Sequence, residues 1–282
     1  MKLNEITGTY CRSTFYSLTE FAEYAESFAG QYGSDVYHYG MDYWYFGSDD
    51  TRDDYRDAFK MAREGWDYHL ETALALTDQV IETLKDETRD DFRPRWDFTG
   101  SQVDIGAYLT GEPECMIDYP PTEITKAGRV ITLCVALSVS SSMSSDEMVR
   151  RGVMVTALAE MLSQRGLNTE IWVDISYDGN ARYSHSQRVL IKGTNDVIDN
   201  SRILYAFANP SMFRVLSFAA ALGLPDNWIR MCGVGNTYGT VGTTKRDLEE
   251  GTLYLGTRGS ARSFDMAAEL RSHLKTLGLL ED

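Results

Sequence analysis

From Arg129 to Val139 the chain is apolar at nearly every position, running Val130-Ile131-Thr132-Leu133-Cys134-Val135-Ala136-Leu137-Ser138-Val139 after the arginine. A run of that texture predicts a central β-strand covered on both faces. A serine-rich loop follows, then a helical pattern from about Asp146 to Gln164 with Gly166 as its stop. Thr169–Ser176 predicts a second strand. Asp178-Gly179 is a hairpin signal, and Gln187–Lys192 is expected to return antiparallel. One helix is expected after Asn195, and another with Asn209 as N-cap, Pro210 at its first position and Phe213, Leu216, Ala220 and Leu224 on its core face. Trp228–Cys232 and Leu253–Leu255 predict short strands, and Arg262–Leu277 a last helix. Strands and helices in alternation imply an α/β fold, a mostly parallel sheet with flanking helices joined by right-handed crossovers.

The chain before this half has a different pattern. Ser17 and Glu20 form a capping-box pair ahead of Leu18, Phe21, Ala22, Ala25 and Phe28 at helical spacing, with Gly30 as the stop. An aromatic stretch spans Tyr37–Phe46, and an acidic run follows around Asp49–Asp54. Tyr55, Ala58, Phe59 and Ala62 predict a second helix ending near Gly65, and a third is expected from Trp66. Gly100–Tyr119 is a mixed segment, and Pro120-Pro121 forbids helix continuation. The expected division is therefore a mainly helical, acidic part over residues 1–121 and an α/β unit over residues 122–282.

Charge sharpens that division. Residues 1–120 hold 10 Lys and Arg against 25 Asp and Glu, a net of −15, whereas residues 121–282 hold 17 of each. An acidic surface repels phosphate backbones, which makes the first part a poor footprint for duplex DNA and a better one for a basic protein partner, or for solubility alone. Cys11, Cys115, Cys134 and Cys232 fit no paired metal spacing and are expected as free thiols. Met1-Lys2-Leu3-Asn4-Glu5 opens no apolar leader, and no stretch approaches the ~20 apolar residues of a membrane span. A cytoplasmic protein without a membrane partner is expected.

The most specific local signal is Ser138-Val139-Ser140-Ser141-Ser142-Met143-Ser144, directly after the central strand and before a helix. It resembles the metal-dependent adhesion loop of von Willebrand factor A domains, whose pattern is Asp, any residue, Ser, any residue, Ser. The resemblance covers roughly residues 128–194 and implies a von Willebrand A-like, Rossmann-type sheet. Ser140 and Ser142 match the two serine positions, but Ser138 stands where the family has its aspartate. Removal of that carboxylate takes away the main anchor for a divalent cation, so no cofactor is expected; Mg²⁺ would have only the Ser140 and Ser142 hydroxyls. Ser144 with Glu147 is an alternative capping box.

Ligands of open α/β sheets bind beyond the carboxyl ends of the strands. Three connections are expected there: the serine loop, the glycine-rich segment Gly233–Arg246, and Thr257–Arg262. Ser138, Ser140, Ser142, Lys245, Arg246, Arg258 and Arg262 are the candidate binding residues, with glycine N–H groups as an anion nest and the cations as a basic rim. The Gly233–Arg246 segment has no Gly-Lys-Ser/Thr element, so it is no phosphate loop of the usual kind. Val103–Met116 carries Glu112, Glu114 and Cys115 without a neighbouring histidine, and it resembles a segment of phage-encoded proteins with a similar α/β half. His38, His69, His185 and His273 lie in separate elements, and no Gly-x-Ser-x-Gly elbow occurs. The expected function is that of a non-enzymatic protein-binding or adaptor factor of a larger assembly. The alternatives are an accessory factor that touches single-stranded DNA or recruits a polymerase, and an enzyme whose site is assembled by the fold.

Overall fold

The computed structural model describes residues 1–29, 56–68, 95–99, 102–118, 130–138, 145–164, 167–179, 183–232, 252–256 and 266–276, with single positions between 70 and 82 and at 248. In chain order the elements are β1 (Lys2–Thr7), β2 (Tyr10–Phe15), α1 (Leu18–Glu26), α2 (Arg56–Glu64), β3 (Arg95–Asp97), β4 (Gln102–Val103), α3 (Ile105–Thr110), β5 (Met116–Asp118) and β6 (Val130–Ala136). Then come α4 (Ser145–Gln164), β7 (Asn168–Gly179), β8 (Tyr183–Lys192) and α5 (Asn200–Ala208). Next is α6, π-helical over Met212–Ser217 and α-helical over Phe218–Ala221, followed by α7 (Asp226–Met231), β9 (Leu253–Leu255) and α8 (Met266–Thr276).

The fold is α/β. Six strands form a mostly parallel sheet in the order β1-β2-β8-β7-β6-β9, flanked by helices. β6 lies between β7 and β9, parallel to both, and β8 returns antiparallel on β7. Ile131, Leu133, Cys134, Val135 and Ala136 are buried, whereas Thr132, on the even-numbered face, is half-buried and Val130 at the strand's start is exposed.

The N-terminal residues join this sheet. β1 and β2 form a hairpin through Gly8, whose φ of 62° suits a residue without Cβ, and β2 pairs in parallel with β8. The sequence pattern did not predict these two strands, because β1 is exposed along almost its whole length and has no apolar face to show. α1 follows with the expected cap: the Glu20 N–H donates to the Ser17 hydroxyl at 3.0 Å, and the Glu20 carboxylate accepts the Tyr16 N–H at 2.7 Å. Phe15, Phe21, Phe59 and Trp66 belong to the same hydrophobic core as Val135 and Leu158. Pro120-Pro121 and the aromatic stretch Tyr37–Phe46 lie outside the described residues, as does most of the helix expected from Trp66.

Residue parity organises the core. Register places the odd-numbered residues of β2, β6, β7, β8 and β9 on one side of the sheet. Phe15, Leu133, Val135, Val173, Ile175, Val189 and Leu253 are on that side, and all belong to the core that α1, α2, α4, α5 and α6 cover. The even-numbered side is polar, with Arg12, Thr14, Thr132, Glu170, Asp174, Ser186 and Arg188. Trp228–Cys232, expected as a strand, is instead helical. Pro225 precedes α7, its carbonyl accepts the Trp228 N–H at 2.7 Å, and Trp228 packs edge-on against Tyr183. Residues 95–118 make a separate small unit, in which β3 and β4 flank β5 and α3 bridges β4 to β5.

Candidate functional site

Ser138 is the one expected binding residue inside the described chain. Ser140, Ser142, Lys245, Arg246, Arg258 and Arg262 lie outside it, and so does Ser144 of the alternative capping box. The last ladder bond of β6 runs from the Leu137 N–H to the Asp174 carbonyl at 2.9 Å. Beyond it the Ser138 hydroxyl accepts the Ser176 N–H at 3.1 Å and donates to the Ser176 carbonyl at 2.9 Å. The residue is buried, and its oxygen serves the β6–β7 seam. Ser138 therefore does not fit the role of a cation ligand. Among the described residues, no group of three His, Cys, Asp or Glu side chains is placed to hold a metal ion.

The carboxyl ends of β6 and β9 are tied together from below. Arg151 of α4 is buried and donates from one Nη to the carbonyls of Ala136 at 2.6 Å, Gly256 at 3.1 Å and Leu255 at 3.4 Å. Cys134 and Cys11 are buried, and burial pushes their thiols up to about 12 and about 11, which keeps both protonated and unreactive at neutral pH.

On the even-numbered face a buried polar cluster surrounds Asp174. Its carboxylate accepts the Ser186 hydroxyl at 2.6 Å, the Ser176 hydroxyl at 3.1 Å and Arg188 Nε at 3.4 Å. Burial raises its pKa, opposed by the Ser186 hydrogen bond and the Arg188 charge. The pairing fixes Arg188, which is 13% exposed, at the floor of an open trough of about 300 Å³. Lys2 and Glu5 of β1, Arg12 and Thr14 of β2, Trp172 and Glu170 of β7, and Thr132 and Cys134 of β6 line it, with Tyr16, Leu248 and Thr252. The Trp172 ring is held by its Nε1–H, which donates to Glu170 at 2.6 Å, and it meets Tyr16 edge-on at 6.3 Å between centroids. Sequence reasoning missed this constellation. Only one strand of it shows in the sequence, in the even positions Glu170, Trp172, Asp174 and Ser176, which alternate with mostly apolar odd ones; the meeting of that strand with Arg12 and Arg188 comes from register.

The unit over residues 95–118 offers a different surface. Asp104 caps α3 by accepting the Ala107 N–H at 3.1 Å, and its second oxygen accepts the Trp96 indole N–H at 3.1 Å. These two bonds hold its pKa below the usual carboxylate range. Gly111 ends the helix in a left-handed conformation at φ 77°. Ile105, Tyr108 and Leu109 occupy positions i, i+3 and i+4 of α3, the spacing of an apolar stripe that normally turns inward. Here they are 70%, 65% and 78% exposed, and Trp96, Phe98 and Val103 beside them are exposed too. Glu112 and Glu114 are exposed in the turn after the helix, and Cys115 is half-buried.

No curated protein and no solved structure matches the chain. A family model described as a domain of unknown function, DUF7192, matches residues 3–281.

Proposed function

We propose that this chain, a member of the DUF7192 family, is a non-enzymatic adaptor that docks on a protein partner through residues 95–118. The observation that carries the reading is the outward apolar stripe Ile105, Tyr108 and Leu109. Each such side chain forgoes roughly 1.5–3 kcal/mol while it stays in water, and burial against a partner recovers it. Contiguous exposed apolar surface of this kind marks interaction sites. The same segment carries Asp97, Asp104, Glu112 and Glu114 and, from 96 to 118, no Lys or Arg, so the fitting partner presents an apolar pocket bordered by Lys and Arg.

The β6–α4–β7 unit followed by antiparallel β8 supports a von Willebrand A-like reading of residues 128–194. The likeness of Val103–Met116 to phage-encoded segments makes a phage assembly the machine to search first. Affinity capture from such a host, wild type beside the Ile105→Asp/Leu109→Asp double variant, tests the docking. A basic partner held by the wild type and released by a variant of unchanged circular dichroism supports it. Equal capture by both, or sedimentation that shows the stripe covered by a second copy of the chain, overturns it.

A second reading, an accessory factor in nucleic-acid transactions, is favoured by the cationic and aromatic trough on the even-numbered face.

A further inference from the structure

We infer that the trough on the even-numbered face binds one nucleotide unit, an aromatic base carrying phosphate. The inference is independent of the docking surface at residues 95–118, since none of those residues lines the trough. Three cations, Lys2, Arg12 and Arg188, line it in a chain whose net charge is −15. Arg188 is seated by buried Asp174, and Arg12 stands 3.9 Å from Glu5. Held by the buried Asp174, the Arg188 guanidinium is preorganised to meet a phosphate, for which its planar donor array is suited, and Arg12 adds a second guanidinium to the lining.

The aromatic half of the site is equally held. Trp172 is locked by Glu170 and flanked by Tyr16, which is 47% exposed. Arg188 pairs with Asp174 across the β7–β8 ladder, while Trp172 pairs with Leu190. Trp172 and Arg188 are therefore diagonal neighbours on one face, a separation of about 7–8 Å. That spacing suits a base against the aromatic pair with its phosphate on the arginines. A sheet that carries aromatics and cations on one face and helices on the other is a known platform for stacked bases.

Charge limits the ligand's size. Glu5 and Glu170 border the trough, and the first 120 residues carry the whole excess of negative charge, so a long strand would cross a repulsive surface. One nucleotide, free or within a short single strand, satisfies both conditions.

Isothermal titration of the full chain with ATP, with a six-nucleotide oligothymidine, and with inorganic phosphate tests the inference. Tyr16→Ala and Arg12→Gln are the variants, because both side chains are partly exposed and an unchanged melting temperature confirms that each has folded. ATP bound in preference to the oligonucleotide identifies a free nucleotide as the ligand, and the reverse identifies a single strand. In either case both variants weaken binding by about tenfold or more, and phosphate alone binds far more weakly. Absence of binding by both ATP and the oligonucleotide, phosphate binding as strong as theirs, or affinities that neither variant changes would each overturn the inference.

Discussion

The Ser138 hydroxyl spans both backbone groups of Ser176, at 3.1 Å from its nitrogen and 2.9 Å from its oxygen, and so extends the β6–β7 ladder by side chain where the backbone pairing has ended. Ser138→Ala removes the partner of a buried N–H and a buried C=O, and is expected to cost about 1–3 kcal/mol by denaturant titration. Ser138→Asp sets a carboxylate against the Ser176 carbonyl at a buried position. It is expected to destabilise more than the alanine variant. Greater stability for the aspartate variant would show that the site accepts charge.

Gly152 of α4 packs against Ala208 at the end of α5. A Cβ there would come within 2.8 Å of the Ala208 Cβ, closer than side-chain carbons pack. Helix propensity alone would make Gly152→Ala stabilising by roughly 1 kcal/mol. Overpacking in a filled core costs about 1–3 kcal/mol, so the crowding is expected to win and the variant to melt lower. A higher melting temperature would mean that the two helices can part without loss.

Much of the fold was legible because its signals are local. The apolar run of β6 and the alternation and Asp178-Gly179 turn of β7 and β8 each announce one element within a dozen residues. Asn209 was equally readable, since its side chain accepts the Ser211 N–H at 2.9 Å at the start of the next helix. What failed was burial inferred without tertiary context. β1 is polar and exposed, so its strand state comes from pairing with β2 alone. The Trp228 run looked like a strand because five residues cannot separate the two periods. The stripe of α3 was visible as spacing, but such spacing forecasts an inward face and here it turns outward. The trough could not be read at all, since Arg12, Trp172 and Arg188 meet only through the register of three strands.

His185 is fully buried, with Nδ1 at 3.1 Å from the Cys11 carbonyl and its ring stacked on Tyr177. Burial lowers its pKa to about 4. The unfolded chain then binds a proton near pH 6.5, which the folded chain refuses until about pH 4. This contribution is fully present above pH 6.5 and is lost as pH falls from there towards 4. Its size is about 3 kcal/mol. His185→Gln is expected to flatten stability across that window relative to the wild type, as followed by denaturant midpoints at pH 7, 5.5 and 4.5. An identical slope in both proteins would assign the acid sensitivity elsewhere.

Arg151 closes the carboxyl end of the sheet by joining β6 to β9. The guanidinium is buried and spans the carbonyls of Ala136 in β6, of Leu255 in β9 and of Gly256 just beyond. β9 is only three residues long and pairs with β6 through Leu133, Cys134 and Val135, so this side chain supplies much of what fixes the strand's end. Arg151→Met keeps the apolar stem but leaves the Ala136 carbonyl without its 2.6 Å donor. A buried acceptor left in that state costs about 1–3 kcal/mol, more for one that had met a charged group. Arg151→Lys keeps the charge but carries one compact ammonium in place of a planar fork, and is expected to recover only part of the loss. Hydrogen exchange of the Leu253–Leu255 amides should then rise in both variants, and most in the methionine one, while the β7–β8 amides stay protected. Uniform loss of protection across the sheet would instead show that Arg151 supports the core as a whole.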